Sequence, residues 1–278
     1  MKVFTKQLTE DYNVIEGGTL ECILMEQPFD AENADWKRPA LIVVPGGAYS
    51  SVSKREGAIV AADFLARGFQ TFVLTYLCWR DGVRYPEQLF ELSCAVDYVR
   101  KNAAQFNVNP DEIFVLGFSA GGHLTANLAV EYPSVPKKSG VALDCKPTAV
   151  GLSYPVITEE EGYRGTHDNL LNGYTDEAKA ELLTALNLDN SVTEQTAPSF
   201  IWATATDPLV PAANSLRFAL ALADKKVPYE LHVYPQGGHG LSNASPEVNA
   251  PQPYHGRISR WVDDCAAFFR LFIEENVK

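Results

Sequence analysis

Apolar and polar positions alternate along this chain in two distinct rhythms. Lys2–Leu8 and Thr19–Met25 alternate enough between polar and apolar residues to be predicted as strands. Ala40–Val44 is a continuous apolar run ended by Pro45-Gly46-Gly47, which predicts a strand buried on both faces of a parallel sheet. Glu56–Arg67 changes to helical spacing and stops at Gly68. Gln70–Tyr76 then reads as a strand, and Pro86–Phe106 as a long helix with proline at its start. Asn109-Pro110-Asp111 predicts a turn into a buried strand, Ile113–Leu116, followed directly by a helix from Ser119 to Glu131.

The second half repeats the alternation. Ala149–Tyr154, Ser199–Thr204 and Tyr229–Tyr234 are predicted strands, Ala212–Lys226 a helix, and Arg257–Glu275 a closing amphipathic helix. Strands alternating with helices of this length predict an α/β protein, its mostly parallel central sheet flanked by helices on both faces through right-handed crossovers. Residues 157–197 break the rhythm with polar turns and two short helical stretches, which predicts a small cap inserted at the strand ends. No internal repeat, low-complexity tract or Gly/Ser linker interrupts the pattern, so residues 1–278 are expected to form a single domain.

Composition narrows the partners. The 278 residues carry a formal net charge of −12, which disfavours nucleic acid and anionic membrane surfaces and fits a neutral substrate better than a polyanion. The first residues, MKVFTKQLTEDYNV, lack the apolar stretch and cleavage site of a signal peptide, and no apolar run approaches the ~18 residues of a membrane span. Five scattered cysteines (Cys22, Cys78, Cys94, Cys145, Cys265) make neither a disulfide framework nor a zinc pattern. Together these predict a cytoplasmic protein with no metal, nucleic-acid or membrane partner. Its oligomeric state stays open, a homodimer included.

The chemistry centres on Gly117-Phe118-Ser119-Ala120-Gly121. As a bare string, G-x-S-x-G is weak; between an apolar strand and a helix it has the setting of a nucleophile elbow. Gly117 and Gly121 remove side chains that would collide in so tight a turn, and the helix N-terminus favours negative charge beside Ser119. A serine hydroxyl needs a base to take its proton. Of five histidines, His239 in Gln236-Gly237-Gly238-His239-Gly240 follows the last predicted strand and is the expected base. His123 belongs to the helix that starts at Ser119 and reads as packing, His232 as structural, His167 as a residue able to line a pocket, and His255 is the least placed. Asp207 follows the Ser199–Thr204 strand and is expected to fix the imidazole tautomer, ahead of Asp176 and Glu159 in the insertion. The backbone N–H of Ala120, with one from the Pro45–Tyr49 loop, would receive a tetrahedral oxyanion. Tyr49, Trp79 and Tyr154 are candidates for pocket walls, with core packing the simpler role.

These residues fall within a series of motifs: Pro45–Ser50 (PGGAYS), Arg55–Gly57 (REG), Gly117–Leu124 (GFSAGGHL), Ser153–Ile157 (SYPVI), Thr204–Pro211, Asn214–Leu216 (NSL) and Gly237–Ser242 (GGHGLS). In that order they resemble the esterase/lipase branch of the α/β-hydrolases that includes xylan-associated acetylesterases. The resemblance spans residues 40 to 245. It implies Ser119, Asp207 and His239 as the catalytic triad, Gly47 or Ala48 with Ala120 as the oxyanion hole, and no metal or organic cofactor. It further implies a serine carboxylesterase acting on short acyl esters, acetyl groups on sugars in particular, through an acyl-enzyme at Ser119. Relatives carry a third glycine where this chain has Ala48; if that position needs φ > 0, alanine costs about 1 kcal/mol. Free histidine titrates near ~6.5, so activity is expected to rise through roughly pH 6–7. Two alternatives stand beside this reading: a peptidase of the same fold, a class that usually carries a propeller or large cap that this length does not house, and a non-catalytic binding protein.

Overall fold

The structure, a computed structural model, describes residues 1–26 and 36–273. Among the described residues eight strands form one sheet: β1 (Lys2–Gln7), β2 (Thr19–Leu24), β3 (Arg38–Val44), β4 (Gln70–Thr75), β5 (Val108–Phe118), β6 (Val150–Ser153), β7 (Ser199–Thr204) and β8 (Tyr229–Tyr234). Their spatial order is β1-β2-β4-β3-β5-β6-β7-β8. The pairs β1/β2 and β2/β4 are antiparallel, and every later pair is parallel. In chain order the helices are α1 (Ala58–Ala66), α2 (Glu87–Lys101), α3 (Ala103–Phe106), α4 (Ala120–Glu131), α5 (Val135–Ser139), α6 (Gly165–Leu170), α7 (Asp176–Leu186), α8 (Ala213–Asp224), α9 (His255–Ile258) and α10 (Trp261–Arg270).

The pleat sorts each strand's side chains onto two cores. On β3, Ala40, Ile42 and Val44 join the α2, α4 and α8 side, whereas Leu41 and Val43 face α1 and α10. On β5, Ile113 and Val115 take the first side and Phe114, Leu116 and Phe118 the second. The second core is aromatic: Phe114 stacks on Phe269 at 4.6 Å and Trp202 on Trp261 at 5.3 Å. Fully buried strands of this kind need apolar residues at successive positions, which is why β3 and β5 read as runs and not as alternations.

Three expectations change at their edges. The predicted helix Pro86–Phe106 breaks into α2 and α3 at Asn102, whose side-chain amide donates to the Tyr98 carbonyl at 2.8 Å. The predicted turn at Asn109 is a bulge inside one strand: Arg38 pairs with Val108 and Ala40 with Ile113, so the intervening residues of β5 loop out. There the Asn109 side chain accepts from the Asp111 N–H at 3.1 Å, a local bond that competes with the ladder. The closing helix splits into α9 and α10 and ends at Arg270; Glu274 and Glu275 lie outside the described residues. The insertion 157–197 holds α6 and α7, as the pattern predicts.

Candidate active site

The loops that carry chemistry all leave the carboxyl ends of parallel strands: Gly46–Tyr49 after β3, Ser119 after β5, Asp207 after β7 and His239 after β8. Ser119 sits between strand and helix with φ 52° and ψ −117°, a conformation that side-chain-bearing residues resist. The tight turn depends on its glycines. A Cβ on Gly117 would stand 2.2 Å from the Gly121 carbonyl oxygen, and one on Gly121 would stand 2.2 Å from that of Val44.

Ser119 and His239 are 120 positions apart in sequence, yet Ser119 Oγ is 2.8 Å from His239 Nε2. On the other side of the ring, His239 Nδ1 is 2.7 Å from Asp207 Oδ2. A carboxylate can only accept, so the ring proton belongs on Nδ1 and Nε2 is left to accept from the serine hydroxyl. Asp207 is itself held: its Oδ1 accepts the N–H groups of Leu209 and Val210 at 2.9 and 3.0 Å. The Asp-Pro turn therefore also fixes the carboxylate that meets His239. The histidine loop is clamped from β7, because the hydroxyls of Thr204 and Thr206 both donate to the Gly237 carbonyl at 2.9 Å. Thr206 Oγ1 also accepts the Gly237 N–H at 3.0 Å.

Gly47, Ala48 and Tyr49 run through positive φ at 130°, 53° and 55°. The condition on Ala48 is thus met, and its side chain sits in left-handed backbone. The turn closes on the Gly47 carbonyl, which accepts from the N–H of Ser50 at 2.9 Å and of Ser51 at 3.3 Å. Neither Gly47 nor Ala48 donates its own N–H to a partner among the described residues. Ala120 opens α4, so its N–H has no intrahelical acceptor either. All three donors border the serine, and the loop is steadied by Asn169 of α6, whose amide donates to the Ala48 carbonyl at 2.8 Å.

A cleft of about 360 Å³ opens over these groups, lined by Gly47, Ala48, Ser119 and His239 and, at its outer wall, by Tyr163, Thr166, Leu209 and Val210. Tyr163 and Leu209 are half exposed, at 56% and 50%. Sequence reasoning missed this wall: Tyr163 and Thr166 are isolated residues in a polar insertion, and Leu209 and Val210 belong to the Thr204–Pro211 motif, which was read only for Asp207.

The other histidines fall where their surroundings hold them. His123 is buried, with Nδ1 2.9 Å from the Tyr49 hydroxyl and Nε2 3.0 Å from the Leu186 carbonyl oxygen. Burial, with His167 beside it, pushes its pKa down to about 3. His167 packs edge-on against it at 5.0 Å, and burial lowers its pKa to about 4. His167 is inside the wall and does not line the cleft. His232 pairs with Glu230 on β8, and buried His255 packs against Tyr254. Asp176 opens α7, and neither it nor Glu159 lines the cleft. Tyr49 and Tyr154 are buried core residues at 1% exposure, and Trp79 lines a separate cleft.

A serine on a strained strand-to-helix elbow, above an eight-stranded and mostly parallel sheet with helices on both faces, defines an α/β-hydrolase. Sequence comparison then places the chain more narrowly. It belongs to the prolyl oligopeptidase family, whose pattern matches residues 86–267, more than half of its length. The BD-FAE family pattern matches residues 29–141. Endo-1,4-beta-xylanase B of Butyrivibrio fibrisolvens is 38% identical over 220 residues, covering 77% of this chain and 34% of that protein. An acetylxylan esterase of Xylanibacter ruminicola is 29% identical over 251 residues, covering 86% of this chain and 46% of that protein. The chain thus spans less than half the length of these curated relatives. Among solved structures, an acetyl ester-xyloside bifunctional hydrolase from Caldicellulosiruptor lactoaceticus superposes with a TM-score of 0.80 at 29% identity, covering 96% of each chain.

Proposed function

We propose that the protein is a serine carboxylesterase that removes short acyl groups, acetyl above all, from carbohydrate esters. The observation that carries this reading is the unbroken relay from Ser119 Oγ through His239 to Asp207, at 2.8 and 2.7 Å. In it, His239 takes the Ser119 proton as the hydroxyl attacks the ester carbonyl. The tetrahedral oxyanion is received by N–H groups of Gly47, Ala48 and Ala120, which are fixed before the charge develops. Collapse expels the alcohol, protonated by His239, and leaves an acyl-enzyme at Ser119. Water, deprotonated by the same imidazole, then releases the acid. Asp207 stays ionised throughout and stabilises the imidazolium.

The substrate reading draws support from the relatives, whose names join acetyl esters to xylan and xyloside chemistry. Five free, buried cysteines and a net charge of −12 support a cytoplasmic setting and a neutral ester. Residues 1–278 are read as one domain. Membership of the prolyl oligopeptidase family keeps peptide hydrolysis as a second reading. A p-nitrophenyl series from acetate to octanoate, run beside aminoacyl p-nitroanilides, decides between them. The expected result is kcat/KM highest for acetate, falling at least tenfold by octanoate, with anilides barely turned over. Comparable turnover of anilides would make the protein a peptidase.

A further inference from the structure

Four motifs singled out in the sequence converge on one side chain that the relay does not use. Glu56, the acid of Arg55-Glu56-Gly57, is 4% exposed. Its Oε2 accepts the Gly46 N–H at 2.8 Å, and its Oε1 accepts the Tyr154 hydroxyl at 2.7 Å. That hydroxyl in turn accepts the Ser242 N–H at 2.8 Å, three residues beyond His239. Ser242 Oγ–H donates back to the Arg55 carbonyl at 2.6 Å. The oxyanion loop, the end of β6 and the histidine loop are thereby tied to one buried carboxylate. Resting on the esterase reading, we propose that Glu56 is a positioning residue that holds the oxyanion donors and His239 in register with Ser119.

The geometry says what the carboxylate does. By taking the Gly46 N–H, Glu56 fixes which way that peptide faces and leaves the next two N–H groups, of Gly47 and Ala48, for the substrate. Gly46 is pressed close to the nucleophile: a Cβ there would stand 2.9 Å from Ser119 Cβ and 2.9 Å from Glu56 Oε2. A small tilt of Gly46 is therefore passed directly to the oxyanion site. On the other arm, the Tyr154 ring meets the His239 ring edge-on at 5.1 Å, so its hydroxyl anchor also sets the plane of the base. The site needs two acceptors and no donor, which a carboxylate supplies and an amide does not. Glutamine would satisfy Gly46 with its oxygen and turn its NH₂ toward the Tyr154 hydroxyl, leaving that hydroxyl proton without its acceptor.

The test is a double-mutant cycle on the full chain with Glu56→Gln, Tyr154→Phe and the pair, measured with p-nitrophenyl acetate. Each single variant is expected to lower kcat roughly tenfold with KM within about twofold, the pattern of a base displaced in the transition state and not of lost binding. The pair is expected to lose little more than the worse single variant, because both cut the same tie. Tyr154→Phe deletes one oxygen and keeps the test within reach should Glu56→Gln not fold. Wild-type kcat in either folded variant, losses confined to KM, or fully additive losses overturn the proposal. Failure of the esterase reading looks different: Ser119→Ala then matches wild type, and both readings fall together.

Discussion

Three consecutive residues in left-handed backbone, Gly47, Ala48 and Tyr49, face Ser119, which is itself at φ 52°. Strain gathered at one place persists only where surrounding bonds over-determine it, and here those bonds come from Glu56, Ser53 and Asn169. Glycine at position 48 relieves about 1–2 kcal/mol of left-handed strain but adds about 0.4–1 kcal/mol of unfolded-state entropy. Ala48→Gly should therefore raise stability by up to ~1.6 kcal/mol, seen as a rise of a few degrees in the thermal midpoint. A lower midpoint would show that the alanine methyl contributes packing that outweighs its strain. The meeting of Ser119, His239 and Asp207 was legible at this scale because each follows a strand and stands beside glycines or a turn. The Arg55–Gly57 motif marked Glu56, but its role was not legible: its bond to Tyr154 crosses 98 positions, and no local pattern reports such a contact.

At the scale of elements, α4 and α6 hold two neutral histidines against each other, and this gives the fold a pH dependence. Folded His123 and His167 titrate at about 3 and about 4, against 6.5 for an unperturbed histidine. Below pH 6.5 the unfolded chain takes up protons that the native state refuses, so stability is complete above that value and is lost as pH falls toward 4. Urea midpoints should therefore drop from pH 7 to pH 4.5, and His167→Leu should flatten that drop. An equal pH slope in the variant would assign the acid sensitivity to other groups. Element type was readable from apolar spacing, whereas element ends were not. Asn102 interrupts a helix whose periodicity carries on to Phe106, and Asn109-Pro110-Asp111 makes a bulge where the same residues could equally make a turn. Both outcomes depend on side-chain-to-backbone bonds that compete with the regular ladder.

For the whole molecule, the sheet order brings the ends of β3, β5, β7 and β8 to one edge, so Ser119 and His239, 120 positions apart, meet within hydrogen-bond distance. Alternating strands and helices made the parallel sheet legible, and the break in rhythm marked the insertion that closes one wall of the cleft through Tyr163 and Thr166. The antiparallel start, with β2 beside β4, was beyond the pattern, because strand order follows from packing between distant segments.

Everything in this account turns on Ser119 as the nucleophile, and the most direct measurement is active-site labelling of the native chain. A fluorophosphonate should form one adduct, mapped by mass spectrometry to the peptide containing Ser119. Loss of p-nitrophenyl acetate turnover should track its formation, and Ser119→Ala should be both unlabelled and inactive. Undiminished turnover in Ser119→Ala, or an adduct on another residue that accompanies the loss of activity, would contradict it.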